Sequence, residues 1–271
     1  MHRSNEQSAP ARYNILLSGC WRKDQVVVHP VLDRGDPADL HPEIDIFWQR
    51  KLAENPALFN GRLAALVNAV QRNRQLELTL GITSYRYLLF SNAHAEAWRS
   101  SGQQHRLSRA LGISAVVETA DDRMLLMQRS QTVGEYPDRL DVFGGHIDIP
   151  EQPSASHPPD VVLAIREELR HELGITAAAI RHECCIGLAE NSHNCKPELI
   201  FWTRLHLDTE AVRQSAREAT EADEYVQLLA IPLRDLETGW FAENRRRLTP
   251  SAEASLALYF EFHRRYRQEF M

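Results

Sequence analysis

Three side chains within one helical turn have the types and spacing to do chemistry in this sequence: Glu168, His171 and Glu172. In the run E-E-L-R-H-E-L-G-I (167–175) they stand at i, i+3 and i+4, so at about 3.6 residues per turn they share one side of a helix. Two carboxylates at that spacing repel unless something positive lies between them. A hard divalent cation meets that need. Magnesium takes carboxylate oxygens and keeps waters that a substrate phosphate displaces. It also polarises a phosphoryl oxygen and lowers the pKa of bound water. The spacing alone leaves a second reading open, a solvated helix face with scattered charges.

The elements that must position this turn are legible around it. Val162, Ile165, Leu169 and Leu173 make an apolar stripe beside the acids, so the pattern predicts a helix over 160–173 packed on a sheet and ended by Gly174. Upstream, 111–118 and 123–129 read as a hairpin around Asp121-Asp122, followed by a short strand in 139–147. Downstream come strands at 180–190 and 197–207, a helix near 209–219 and a strand at 224–230. A last helix is predicted over 250–268, with Thr249 as cap and Pro250 at its first position. The N-terminal part predicts two strands, 13–18 and 25–31, then a helix at 43–54 and strands at 63–70 and 76–82. A helix capped by Thr83 or Ser84 and a further helix over 93–101 complete it. The polar run S-S-G-Q-Q-H-R-L-S-R (100–109) is the expected joint between an N-terminal α/β unit, 1–105, and a unit spanning 106–271. The order is α+β, with a mixed sheet sandwiched by helices.

Composition narrows the partners. The 271 residues are 43% hydrophobic and 25% charged with a net charge of −6, which predicts a globular chain and no nonspecific nucleic-acid binding. No apolar stretch reaches the ~20 residues that cross a bilayer, and the N-terminus lacks a signal-peptide core, so no membrane partner and a cytoplasmic location are expected. Cys20, Cys184, Cys185 and Cys195 form no C-x-x-C pair, and reduced thiols are expected rather than zinc or a disulfide framework. Nothing in the pattern specifies an oligomeric state.

The segment upstream of the acidic turn decides between its two readings. D-V-F-G-G-H (141–146) is followed by Glu151, six residues after Gly145. Together with Glu168, Leu169, Glu172, Gly174 and Ile175, this resembles the Nudix box, G-x5-E-x7-R-E-U-x-E-E-x-G-U with U apolar. Three departures stand out. The spacer after Glu151 is longer by about eight residues, Glu167 occupies the arginine position beside Arg166, and His171 replaces the first glutamate of the E-E pair. Further segments resemble the animal UDP-glucose/UDP-galactose diphosphatases of this superfamily, which carry an N-terminal unit and a stretched box. They include I-F-W-Q-R-K-L-A-E-N-P-A-L-F (46–59), L-G-I-T-S-Y-R (80–86), G-L-A-E-N (187–191) and L-T-P-S-A (248–252).

The resemblance implies a Nudix-type α/β/α sandwich preceded by a small α/β unit that supplies substrate specificity. It implies hydrolysis of the diphosphate of a nucleoside diphosphate sugar, most specifically UDP-glucose or UDP-galactose, to UMP and sugar 1-phosphate. The alternatives are another nucleotide substrate, such as an ADP-sugar or dinucleotide, and a non-catalytic binder of nucleotide sugars. Glu168 and Glu172 match metal-binding and catalytic glutamates, with Mg²⁺ as cofactor and Mn²⁺ as a second choice. Glu168 is also the acceptor of a proton from the attacking water. Glu221 is the expected distant carboxylate on the metal, in competition with Glu218, Asp223 and Glu224. His171 is expected to stand behind the metal or to be a spectator, since neutral imidazole suits magnesium poorly. Glu151 is either structural or functional. Tyr85, Arg86, Asn92, Arg129 and His146 are the expected substrate contacts, an arginine being able to clamp a phosphate through two parallel bonds. Gln128, Ser130 and Asn191 stand behind them. Tyr85 in the core, and Arg86 capping a helix or in a surface pair, are the alternatives for the first two. Trp48, Trp98, Trp202 and Trp240 are expected to pack, and Arg245-Arg246-Arg247 to be solvated surface.

Overall fold

The architecture turns on one strand that changes partners half way. The computed structural model describes residues 11–32, 35–131, 133, 135–150, 158–221, 225–266, 268 and 270. The pivot is the strand Gly112–Glu118. In chain order the main elements are β1 (Tyr13–Trp21), β2 (Val26–Leu32), α1 (His41–Glu54), β3 (Arg62–Arg72), β4 (Gln75–Ser84) and α2 (Tyr85–Ser100). There follow β5 (Gly112–Glu118), β6 (Arg123–Arg129), β7 (Leu140–Asp141), β8 (Phe143–His146) and α3 (Val161–Leu173). Strands β9 (Ile180–Asn191) and β10 (Pro197–Leu205), α4 (Thr209–Ala216), β11 (Tyr225–Pro232) and a C-terminal helix (Pro250–Tyr266) complete the set.

The large sheet runs β1-β9-β10-β5-β6-β11, with β5 and β10 parallel and the other neighbours in that run antiparallel. Along its other edge β5 pairs with β8 through residues 112–115 and with β6 only at Val117 and Glu118. The sheet therefore forks, β7 following β6 while β8 stays on β5. A cleft opens in the fork.

Period-two alternation along β5 sends Ile113, Ala115 and Val117 to one face and Ser114 and Val116 to the other. The first face packs on Val162, Ile165, Leu169 and Leu173 of α3, the stripe read from the sequence, and on Leu76, Leu78 and Leu80 of β4. The second carries the C-terminal helix through Ala252, Leu256, Tyr259 and Phe262. This is the expected α/β/α sandwich with a mixed sheet.

The small sheet, ordered β2-β4-β3, is tied to the large unit just behind β8. Ala64 N donates to Ile147 O and Ile149 N to Arg62 O, while Leu111 N donates to Ala64 O. The two N-terminal strands do not pair with each other: β1 joins β9 at the edge of the large sheet and β2 joins the small one. The helices expected at 84 onward and at 93–101 are one continuous helix, because nothing between them breaks the pattern and Ser84 Oγ caps it from Tyr87 N. The strand expected over 139–147 is split at Val142, where the chain passes from β6 to β5. Thr249 caps the last helix, its Oγ1 accepting from Ala252 N.

Trp48, Trp98 and Trp202 are buried and Trp240 is half-buried against the second core, as expected. Arg245 departs from the expected solvated surface. It pairs with Glu253 at 2.6 Å, and Arg12 reaches the same buried carboxylate at 2.7 Å. The four cysteines are thiols, and Cys20 Sγ donates to Cys184 Sγ at 3.4 Å. Among the described residues no helix is long and apolar enough to cross a membrane.

Helix α3 begins at Asp160, whose Oδ1 accepts from Val162 N and Leu163 N and whose Oδ2 meets Lys23 at 2.7 Å. Partial burial raises its pKa, but the bonds from Lys23 and the two amides outweigh that and hold the carboxyl below its ordinary value. Asp160→Ala is expected to cost about 1 kcal/mol. A folded-state pKa below the unfolded one stabilises above the unfolded value and is lost as pH falls through the folded one. The difference in melting temperature between wild type and Asp160→Ala should therefore be full at pH 7 and shrink below about pH 4. A difference that is the same at pH 7 and pH 2.5 would contradict this.

Candidate active site

The fork in the sheet holds a cleft of about 730 Å³. Its rim carries the acidic turn of α3 because that helix packs against β8. At its end, Gly174 takes a left-handed φ of 67°, and Gly174 N donates to Arg170 O.

Glu168, His171 and Glu221 each bring a ligand atom to one place, all within 4.8 Å of one another. His171 Nδ1 lies 3.8 Å from Glu221 Oε1. Glu221 is delivered there by a backbone bond, its N–H donating to His171 O at 2.9 Å. Two carboxylates and an imidazole fit a divalent cation, the oxygens suiting magnesium or manganese and the nitrogen leaning toward manganese. The grouping differs in one member from the expected set of Glu168, Glu172 and Glu221. Glu172 is only 1% exposed, and its Oε2 accepts from Gly144 N at 2.9 Å. The 3.6-residue pitch puts His171 and Glu172 about 100° apart, so one helix can direct the first to the rim and the second to the strand beneath. Glu218 is exposed and outside this group. Glu151, Asp223 and Glu224 lie outside the described residues.

Gly144 and Gly145 have geometric reasons to be glycine. Gly144 has a φ of 147°, and a Cβ there would lie 2.0 Å from Ile113 O. A Cβ on Gly145 would lie 2.4 Å from Glu168 Oε1. The backbone of β8 thus runs directly under the carboxylate of α3.

Of the expected substrate contacts, Tyr85, Arg129 and His146 line the cleft and Arg86 does not. Arg86 Nη1 is paired with Asp45 at 2.5 Å, the surface-pair alternative. Asn92 is reached through another residue: its Nδ2 donates to Glu135 Oε1 at 3.1 Å, and its Oδ1 accepts from Asn194. Asn191 donates to Tyr136 Oη at 2.9 Å on the cleft wall. Gln128 is half-buried on β6 and Ser130 buried, neither in the lining.

His146 is half-buried, and its Nε2 is buried without a hydrogen-bond partner. Burial first, then the nearby positive charges of Lys196 and Arg129, push its pKa down to about 3 against the opposing pull of Glu135. The ring is neutral at pH 7.

Sequence reasoning missed a second group on the cleft: Glu135, Asp141, Lys196 and Glu198, with Ser114 and Ser251. Lys196 meets Glu135 at 3.2 Å and Arg129 meets Asp141 at 3.3 Å, while Ser114 Oγ donates to Glu198 and lies 3.0 Å from Ser251 Oγ. Asp141 Oδ1 also accepts from Thr249 at 2.6 Å. Burial opposes the charge on Glu135, but Lys196 outweighs it and lowers the pKa; for Asp141 and Glu198 burial wins and raises it. A signal was present in K-P-E-L-I-F-W, where two charged residues stand at the start of an apolar run. Buried charge must be paired, so partners elsewhere were implied but not identifiable.

No family model matches the chain. It is 28% identical over 269 residues to the human protein named uridine diphosphate glucose pyrophosphatase NUDT22, covering 87% of this chain and 86% of that one. It is 29% identical over 260 residues to the bovine protein of the same name, with 85% and 88% covered. Against Nudix hydrolase 9 of Arabidopsis thaliana it is 25% identical over 266 residues, with 84% and 85% covered. The crystal structure of the MutT protein from Methanosarcina mazei aligns with 59% of this chain and 94% of its own at a TM-score of 0.32 and 15% identity, too distant to carry argument. The likeness to Nudix hydrolases first read from the box extends over most of the chain.

Proposed function

We propose that this chain, similar to Nudix hydrolases through most of its length, is a metal-dependent hydrolase of nucleoside diphosphate sugars. The preferred substrate class is the UDP-sugars, cut at the diphosphate to UMP and sugar 1-phosphate. One observation carries the reading: Glu168 and Glu221, which line the cleft, converge with His171 on one place beside the glycines of β8. The names of the human and bovine relatives support the uridine sugar.

Glu168, His171 and Glu221 would hold the cation, with Mg²⁺ as the proposed ion and Mn²⁺ accepted through the histidine. When bound there, such an ion supplies polarisation of a phosphoryl oxygen and a bound water of lowered pKa. The chain's own residues do the rest. Glu168 accepts the proton of the attacking water. Glu172 holds Gly144 N and so keeps β8 flat beneath the phosphates. The absence of side chains at Gly144 and Gly145 lets a diphosphate approach the backbone. The part of the chain from β2 to α2, which carries the small sheet, contributes Leu58, Phe59 and Tyr85 to the cleft, and we assign it the recognition of the nucleotide.

A turnover panel of UDP-glucose, UDP-galactose, ADP-ribose and a dinucleoside polyphosphate, with Mg²⁺, Mn²⁺ or chelator, tests this. The expected result is UMP release from the uridine sugars that chelation abolishes. Faster turnover of the adenine substrates would replace the substrate assignment. Thermal stabilisation by UDP-glucose with no UMP released under any metal would replace the enzyme by a binding protein.

A further inference from the structure

We propose that the wall formed by Ser114, Arg129, Glu135, Asp141, Lys196 and Glu198 is the subsite for an uncharged, hydroxyl-rich sugar, and that it rejects sugar acids. The inference rests on the reading of the cleft as a nucleotide-sugar site.

Charge is the first argument. The wall holds two cations, Arg129 and Lys196, and three carboxylates, Glu135, Asp141 and Glu198. Each cation is already paired, at 3.3 and 3.2 Å. The N-terminus of the C-terminal helix, at Thr249, Pro250 and Ser251, also faces the cleft and adds about half a positive charge. Even with that contribution the wall is no anion trap, whereas phosphate sites present unpaired arginine or lysine. Burial raises the pKa of Asp141 and Glu198, opposed in each case by the neighbouring cation, Arg129 for the first and Lys196 for the second.

Hydrogen-bonding capacity is the second. The four charged side chains of the two pairs are withdrawn, their exposures running from 11% to 19%, yet all face the cleft. A carboxylate offers about four acceptor positions, and a sugar hydroxyl both donates and accepts. Such a wall can bond several hydroxyls without any change of net charge, the pattern by which a few fixed polar groups orient a ligand.

Position is the third. Of the aromatic groups on the cleft, Phe59, at 81% exposure, and Tyr85 stand together on the lining contributed by residues 55–85, whereas Tyr136 is tied by Asn191 beside the polar wall. The base has its platform on the first two, and the polar wall is left for the sugar. Asn92 and Asn194 are positioning residues, reaching the sugar only through Glu135.

The test compares UDP-glucose with UDP-glucuronate, which differ by one carboxylate on the sugar, in metal-free calorimetric binding and in turnover with Mg²⁺. A like charge facing the wall is disfavoured, so a preference of about 30-fold or more for UDP-glucose, roughly 2 kcal/mol, is expected in both measurements. Glu135→Gln unmasks Lys196 and is expected to reduce that preference at least about 5-fold, a change of roughly 1 kcal/mol. Glu198→Gln, with its fold checked by thermal melting, supplies a second variant and should weaken UDP-glucose more than UDP. Equal binding of the two sugars by the wild type, or a preference untouched by Glu135→Gln, would overturn the assignment. UMP release from both sugars at equal rates removes the subsite and leaves the hydrolase. A binding preference without any hydrolysis removes the hydrolase and leaves the subsite.

Discussion

Glu168→Gln is expected to lower kcat/KM for UDP-glucose by about a thousand-fold, the loss of a ligand charge and of a proton acceptor combined. The side chain keeps its size, so its packing over Gly145 is preserved and the melting temperature should move by no more than about 2 °C. The expected defect is chemical. Calorimetric titration with Mn²⁺ should show weaker binding than in wild type, because one of the two carboxylates in the group has become neutral. Wild-type turnover in Glu168→Gln would remove this turn from the mechanism. Lost turnover with unchanged metal affinity would keep the proton-accepting role and move the metal elsewhere.

The neighbouring glycines should fail in opposite ways. Gly144→Ala forces a Cβ to 2.0 Å from Ile113 O and 2.9 Å from Ser114 Cα, at a φ of 147° that L-residues rarely adopt. Those are backbone atoms of the pivot strand and cannot step aside. The substitution is expected to cost about 3 kcal/mol, a fall of roughly 6–12 °C in melting temperature. Gly145→Ala meets the end of a side chain instead, Glu168 Oε1 at 2.4 Å and Cδ at 2.7 Å. The carboxylate can rotate away, so stability should change by less than about 1 kcal/mol. Activity should fall about 100-fold, as it does when a catalytic group is displaced by roughly 1 Å. Melting curves and kinetics on the pair separate the effects. An undisturbed melt for Gly144→Ala, or full activity for Gly145→Ala, would show that β8 does not run under Glu168 as described.

The acidic turn was readable because its information is local. Helix α3, its buried stripe, its glycine stop and the placement of Glu168 on the cleft side all follow from a pitch of about 3.6 residues acting on a dozen consecutive residues. The cap at Thr249 and the α+β layering were legible for the same reason. Local periodicity also misled in one respect. It set Glu168, His171 and Glu172 on one side of the helix, but could not resolve which of the last two faces the rim; packing against β8 sends Glu172 to Gly144 N and leaves His171 beside Glu221.

What the chain order could not disclose depends on register and on the fork. Ser114, Arg129, Glu135, Asp141, Lys196 and Glu198 meet across as many as 84 positions, as Ser114 and Glu198 do, only because β5 pairs in parallel with β10 and passes its other edge from β8 to β6. Arg86 left the expected contacts because Asp45 on α1 captures it, a pairing between elements that no spacing encodes. The residues alone determined which helix can carry a cation and roughly where it stops. The tertiary structure decided which third group joins Glu168 and Glu221 and which charged wall faces them. The physical reason is range: helical phase is set within a few residues, whereas a cleft is set by how distant strands pair.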